Sequence, residues 1–174
     1  MNEILQAILT RRSVRRFLPE QISDEALAAI LEAGTYAPSS RGQQRCFIVA
    51  VQREALRQRL AAINARYASN PTADPFFGAP THIYVFAPAD YPFGLQDGSA
   101  IMQNLLLATH SLGLGGCWIN RCVETFATAE GKAIMSSMGL PEGLQGVAAV
   151  ALGFPAIPAS KAKPRKADYT RVIV

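Results

Sequence analysis

The sequence has little of what most catalytic motifs require. Its 174 residues include two histidines and three cysteines. Neither His82 nor His110 has a serine, cysteine or carboxylate at the spacing of a known catalytic motif, so we expect both to be core residues. A paired-carboxylate motif is also absent. An enzyme of this composition would take its chemistry from a bound cofactor.

The cysteines form neither a metal-binding nor a disulfide pattern. Cys46, Cys117 and Cys122 contain no CxxC pair and no zinc-ligand spacing, which indicates reduced thiols and no bound metal. The N-terminal run MNEILQAILTRRS carries its basic residues after a short apolar stretch, whereas a signal peptide carries them before it. We therefore predict a cytoplasmic protein that is not secreted.

Charge is missing from one long stretch, in which no charged residue separates Asp97 from Arg121. Its length would suffice for a membrane span, which needs about 20 apolar residues. Gln103 and Asn104 lie within it, however, and a glycine cluster ends it early. Because a helix that is apolar all round must be buried, we predict a central helix from Asp97, buried within or between subunits and leading into a strand.

The remaining pattern alternates helices with buried strands. A chain of 174 residues predicts one domain over residues 1–174, and 49% hydrophobic with only 17% charged residues favours association with a second copy. The order of the strands stays open, so the class is α/β or α+β. Helices are predicted at 2–10, 23–34 (ending at Gly34), 53–67, from 97, and at 128–139; strands at 46–51, 82–87, 117–120 and 147–153, with a strand-like end at 171–174.

Basic residues are concentrated in two short segments. Four arginines surround Ser13 within residues 11–16, and a planar guanidinium matches phosphate oxygens. A solvated basic turn is the alternative, and a nucleic-acid patch ranks lower because no aromatic residues are interleaved for stacking. The second segment, KAKPRKADY, places Lys163 and Arg165 on the same side if it is extended. It is either a solvated tail or a second cover for the same anion.

Two further segments also suit a ligand. The loop APSSRGQQ offers Ser39, Ser40 and Gln44 as neutral donors and acceptors, although it could equally be an ordinary polar loop. In GLGGCWIN the glycines allow close backbone approach to a flat ligand, with the N–H groups of residues 118–121 beside it. Tight packing of helix on strand requires glycine as well, so both interpretations stay open.

Together and in this order, these segments resemble the FMN-dependent nitroreductase family. The matches cover nearly the whole chain: R-R-S-x-R, A-P-S, D-x-x-x-x-x-Q-N, G-L-G-x-C-W-I, L-G-x-P and a late K-P-R. The resemblance implies an α+β sandwich whose mostly antiparallel sheet is flanked by helices. It also implies an intertwined homodimer with the central helix at the interface and FMN at each of two shared sites.

The resemblance further implies roles for individual residues. The phosphate and ribityl chain would be held by Arg11, Arg12, Ser13 and Arg15, helped by Lys163 and Arg165, with Arg15 at the flavin N1–O2 edge. The partner subunit would contribute Ser39, Ser40 and Gln44. One flavin face would be lined by Trp118, Ile119, Asn120 and Arg121.

The activity implied is ping-pong hydride transfer from NAD(P)H through flavin N5 to a nitroaromatic or quinone. Three positions depart from the family loop, since Gly42, Arg45 and Cys46 stand where Asn, Pro and Trp are usual. A specialised flavin enzyme (dehalogenating, flavin-fragmenting or azoline-oxidising) is therefore a second hypothesis. A basic dimer that binds nucleotides or nucleic acid without redox function is the third. An arginine at 41 or 45 would favour NADPH over NADH.

Overall fold

A computed structural model describes residues 2–174, and its helices and strands alternate along the chain. A short 3-10 turn, Ser40–Gly42, lies between the second helix and the first strand. The elements are α1 (Glu3–Thr10), α2 (Asp24–Thr35), β1 (Phe47–Val51), α3 (Glu54–Ala65), β2 (Thr81–Pro88), α4 (Gly94–Ser111), β3 (Gly115–Ile119), α5 (Cys122–Ala127), α6 (Ala129–Ser137) and β4 (Leu144–Gly153).

The four strands form one antiparallel sheet in the order β1-β2-β4-β3. The register places Ile83 of β2 opposite Val150 of β4, and Val150 in turn opposite Trp118 of β3. The prediction of an α+β fold with a mostly antiparallel sheet between helices is confirmed. Strand order, which periodicity left open, follows from these pairings.

Helices cover both faces of the sheet, and this explains why β2 is apolar at successive positions. Ile83 and Val85 point into a core shared with α2 and α4, whereas Tyr84 and Phe86 point into one shared with α3, α5 and α6. Antiparallel strands usually alternate apolar and polar residues because one face meets water. Here each fully buried large side chain contributes about 1.5–3 kcal/mol, whichever face it occupies.

Local capping sets the starts of three helices. The side chains of Asn2, Ser23 and Thr128 accept hydrogen bonds from backbone N–H groups in the first turns of α1, α2 and α6, at 2.9–3.2 Å. Each such cap stabilises its helix by about 1 kcal/mol.

The structure differs from the predicted elements at several places, of which three concern how an element ends or whether it exists. Gly34 is not a terminal glycine: α2 continues to Thr35, and a Cβ at Gly34 would lie 2.8 Å from Leu105 Cδ2, so close packing on α4 requires the glycine. Helix α5 was not predicted, because six residues are too few to establish a helical period. The end at 171–174 is exposed and has no strand pairing.

The central helix begins at Gly94, three residues before the predicted start. Its buried residues include Met102, Leu105 and Thr109, whereas Gln103 is exposed and Leu107 half-buried. Within one chain, therefore, α4 buries one face only. None of the helices between residues 2 and 174 combines the length and the apolarity that crossing a membrane requires.

Candidate functional site

The basic segment after α1 lies along the edge strand β3. Ser13 forms a parallel bridge with Gly116, and the backbone N–H of Val14 donates to Gly116 O at 3.1 Å. A Cβ at Gly115 would lie 2.9 Å from Val14 Cγ1, so this approach depends on the glycine. The glycine-rich segment thus serves tight packing, and that packing positions the arginines.

Two guanidinium nitrogens of this segment are buried without a hydrogen-bond partner among the described residues, Arg11 Nη1 and Arg12 Nε. Arg12 is otherwise held in place, because its Nη1 donates to Leu9 O at 2.8 Å and to Arg11 O at 2.6 Å. A buried donor without a hydrogen-bond partner lowers stability more than the absence of that donor would. The loss of stability is largest when the donor is charged. These atoms are therefore suited to an anionic ligand.

Two neighbouring groups respond to the positive charge of this cluster. Burial raises the pKa of the Cys117 thiol, and Arg15, Ser13 and Arg11 oppose that rise. Desolvation lowers the pKa of His110, and Arg11 and Arg12 lower it further. His110 Nε2 is also 2.9 Å from Thr10 Oγ1. The arginine cluster (Arg11, Arg12, Ser13 and Arg15) thus gathers beside β3 and the C-terminal end of α4.

The predicted polar loop lies at the opposite end of α4. The N–H of Ser40 donates to Asp97 Oδ1 at 3.0 Å and to Oδ2 at 3.2 Å, and the N–H of Gln44 donates to Ser39 Oγ at 3.1 Å. Asp97 and His110 are separated by about 20 Å along the helix axis. One chain therefore does not bring Ser39, Ser40 and Gln44 to the arginine cluster.

Residues 118–121 run from the end of β3 to the start of α5 and are held by nearby hydrogen bonds. Trp118 Nε1 donates to Asn120 Oδ1 at 2.8 Å, and Asn64 Nδ2 donates to Asn120 O at 2.8 Å. Ile119 is 5% exposed, so only its backbone remains for a ligand. Arg121 has a left-handed backbone conformation, and its guanidinium pairs with Glu124 at 2.9 Å. This short segment thus begins on the strand that the arginine cluster flanks, where Ser13 pairs with Gly116.

The basic tail is exposed throughout. Arg165 Nη2 donates to the carbonyl oxygen of Lys163 at 2.9 Å, within the tail itself. Lys163 and Arg165 are therefore not folded onto the arginine cluster of their own chain.

The family model for the nitroreductase family matches residues 8–154, from α1 to the residue after β4. The chain belongs to the nitroreductase family. It is 35% identical over 166 residues to an Archaeoglobus fulgidus protein provisionally described as an NADH dehydrogenase/NAD(P)H nitroreductase, covering 89% of this chain and 87% of that one. The resemblance in the sequence motifs is thereby confirmed.

Solved nitroreductases share the fold over nearly the full length. A Bacteroides fragilis nitroreductase with bound FMN has a TM-score of 0.91 and 31% identity, covering 99% of this chain and 100% of the other. A Desulfitobacterium hafniense nitroreductase with bound FMN has a TM-score of 0.88 and 30% identity, with the same coverage of each chain.

Three further residues of this nitroreductase were not predicted as site residues. Asp97 is 6% exposed and accepts the hydroxyl of Tyr91 at 2.9 Å besides the N–H of Ser40. The guanidinium of Arg45 lies 4.7 Å from the centroid of the Tyr91 ring. The sequence signal for Asp97 was its place at the start of a helix that is otherwise uncharged. A carboxylate in a buried helix needs a hydrogen-bond partner, and this requirement could have pointed to Asp97 as a contact residue.

His82 lies on the other side of the sheet from α4, in the core. Its ring stacks on Phe76 with centroids 3.7 Å apart, and Nδ1 is 3.2 Å from the Tyr84 hydroxyl. Burial lowers the pKa of His82 to about 3, helped by Arg57, so the imidazole is neutral at pH 7. The prediction that His82 is a core residue is confirmed.

Proposed function

We propose that this protein is an FMN-dependent NAD(P)H oxidoreductase. The observation that carries the proposal is a pair of buried nitrogens beside Ser13, Arg11 Nη1 and Arg12 Nε, which have no hydrogen-bond partner among residues 2–174. A phosphate monoester supplies several oxygens that accept from guanidinium N–H groups, and it neutralises the buried charge. The FMN bound to solved relatives carries such a group.

The residues of this chain divide the binding between them. The arginine cluster would hold the phosphate, with Arg15 stabilising negative charge at the flavin N1–O2 edge, as donors do in an oxyanion hole. Lys163 and Arg165 would add charge to the same anion. The arginine cluster would also hold the ribityl chain, and the partner subunit would contribute Ser39, Ser40 and Gln44 to the cofactor. The flavin face would lie against Trp118, Ile119, Asn120 and Arg121.

When bound, FMN would supply the redox chemistry, a ping-pong hydride transfer from NAD(P)H to a nitroaromatic or quinone. The protein's part is to bind, to orient and to balance charge. The name of a 31% identical Vibrio harveyi relative, an NADPH-flavin oxidoreductase, supports this activity.

We also infer that the site is completed in a homodimer. The loop and the arginine cluster lie at opposite ends of α4, so a partner packed antiparallel on this helix would bring its own loop to the cluster. Apolar surface supports such an interface, because Ile4, Leu5, Ile8 and Leu9 of α1 are each at least 47% exposed. Exposed apolar residues grouped on one element are typical of a protein interface.

One FMN-binding domain over residues 1–174, located in the cytoplasm, fits these features. Cys46, Cys117 and Cys122 are free thiols, as in proteins of reducing compartments.

The phosphate assignment is tested by comparing FMN with riboflavin, which lacks the phosphate. We expect the apoprotein to bind FMN much more tightly, and Arg11→Ala to weaken FMN binding by about tenfold to 100-fold, with riboflavin unchanged. Arg53→Ala, at an exposed arginine before α3, serves as the matched control. Equal affinities for the two flavins would contradict the assignment.

The activity is tested by anaerobic absorbance spectroscopy. We expect yellow protein that NADH or NADPH bleaches and that a nitroaromatic or quinone restores, and the two kcat/KM values identify the donor. Bleaching without restoration would favour the specialised flavin enzymes. If the apoprotein takes up no FMN, the proposed function is wrong, although the chain still belongs to the family.

A further inference from the structure

The carboxylate of Asp97 is the buried link between α4 and the loop at residues 39–45. It is 6% exposed, it accepts the Ser40 N–H with both oxygens, and it accepts the Tyr91 hydroxyl at 2.9 Å. A buried carboxylate is tolerated only when it is hydrogen-bonded. Its place in the first turn of α4 adds a favourable interaction with the helix dipole.

The loop that it holds has an unfavourable backbone. Arg41 and Gln44 have φ of 53° and 51°, values that residues with side chains rarely adopt, and Gly42 between them has φ of 66°. Its internal bonds are few and short in range, such as Gly42 N to Ser39 O at 2.9 Å. A strained conformation persists where its surroundings hold it, and the bond to Asp97 comes from an element 57 positions away.

Tyr91 adds a second contact to the loop, besides the hydrogen bonds from Ser40 to Asp97. We call the pair of Asp97 and Tyr91 the anchor. Its ring is 6% exposed and lies under the guanidinium of Arg45 at 4.7 Å, a cation–π distance. Burial raises the pKa of Tyr91, and the bond to Asp97 raises it further, so the hydroxyl stays protonated as a donor. The stacking of Arg45 on Tyr91 is therefore a second contact that holds the loop.

We propose that Asp97 and Tyr91 are positioning residues that hold residues 39–45 in the shape that presents Ser39, Ser40 and Gln44 to the cofactor. In this proposal both residues act through the loop. The identity of the ligand rests on the proposed function, whereas the anchor is a property of the apoprotein.

The anchor is tested without cofactor by limited trypsin digestion of the apoprotein. Cleavage after Arg41 and Arg45, quantified by mass spectrometry, reports release of the loop. We expect it to be about tenfold faster in Asp97→Ala, and less accelerated in Asp97→Asn, which keeps one acceptor oxygen. We expect a smaller increase in Tyr91→Phe, which loses one hydrogen bond.

Three controls separate loop release from general loss of stability. Asp90→Ala and Tyr67→Phe alter exposed residues of the same types. Ile134→Ala destabilises α6, across the sheet from the loop, and we expect it not to accelerate cleavage at these two arginines selectively. Unchanged cleavage in Asp97→Ala, or the same acceleration in Ile134→Ala, would overturn the anchor.

The consequence for the cofactor is measured by titrating the same apoproteins with FMN. We expect Asp97→Ala to raise the Kd about tenfold, with Asp97→Asn giving partial rescue. An unchanged Kd, with loop cleavage accelerated, would overturn the presenting role. A wild-type apoprotein that does not bind FMN would overturn the proposed function and this role together, and the cleavage rates would still decide the anchor.

Discussion

Charged groups with buried polar atoms lie at both ends of α4, a carboxylate at one end and guanidinium groups at the other. They differ in whether those atoms have hydrogen-bond partners. At the N-terminal end, Asp97 accepts hydrogen bonds from Ser40 and Tyr91. At the C-terminal end, Arg11 and Arg12 each keep a buried nitrogen without a partner among the described residues. A charge satisfied by its own chain stabilises the fold, whereas an unsatisfied one costs stability until a ligand arrives.

This contrast separates the structural part of the site from the ligand-binding part. Removing a charge should lower stability at one end and raise it at the other, with ligand affinity responding most where the charge is unsatisfied. Four predictions follow this contrast, in order of decreasing effect.

The largest effect is expected from Arg11→Met combined with Arg12→Met. Loss of charged hydrogen bonds to the phosphate should weaken FMN binding by at least about 100-fold. The free energy of unfolding of the apoprotein should rise by about 1 kcal/mol, because methionine fills the space without a buried charge. Flavin fluorescence and urea unfolding measure the two quantities. A destabilised apoprotein would mean that the arginines are already satisfied.

Gly115→Ala tests how the arginine cluster is positioned. The new methyl group would lie about 3 Å from three carbons of Val14, so the segment carrying the arginines must shift. We expect the unfolding free energy to fall by about 1–3 kcal/mol and FMN binding to weaken. Gly34→Ala is the comparison, because its methyl group would meet carbons of Leu105 and Ile48 at 2.8–2.9 Å and not the segment that carries the arginines. We expect it to lower the unfolding free energy as well, but to weaken FMN binding less. Equal weakening of FMN binding in the two variants would contradict the role of Gly115 in positioning the cluster.

Ile8→Glu tests whether a second copy of the chain brings its loop to the arginine cluster. Ile8 is 47% exposed in one chain, so the change should leave the fold intact while placing a charge in the proposed interface. We expect the dimer dissociation constant to rise about tenfold. Light scattering after gel filtration measures it, with Val123→Glu on α5 as the control because Val123 is similarly exposed. Dimers that survive Ile8→Glu unchanged would place the interface elsewhere.

The smallest effect is expected from His110→Gln. The folded pKa of His110 is lowered by desolvation and then by Arg11 and Arg12, so the unfolded chain takes up the proton first. Wild-type stability should therefore decrease as the pH falls below about 6.5, and the variant should lose that part of the decrease. Urea unfolding between pH 7 and pH 5 compares the two. If the unfolding free energies of the two proteins change with pH in parallel, the pKa of His110 is not lowered in the folded protein.

Local sequence was sufficient for most of the fold. The apolar runs at 46–51 and 82–87 predict strands because β-branched and aromatic side chains fit a covered sheet. Ser23 predicts a helix start because its side chain caps a free N–H. The arginine cluster is equally local, because its members lie within five residues. Gly34 and α5 were mispredicted for a related reason, since one is decided by a neighbouring helix and the other is too short for a period.

What the sequence by itself determined, then, is most of the elements and the concentration of arginines at residues 11–16, because both depend on residues close together in the chain. Only the tertiary structure decided which polar groups are satisfied. Ser40 meets Asp97 across 57 positions and Thr10 meets His110 across 100. Those contacts depend on where α4 packs, and α4 packs according to the summed burial of the core that it shares with α2 and the sheet rather than any local pattern.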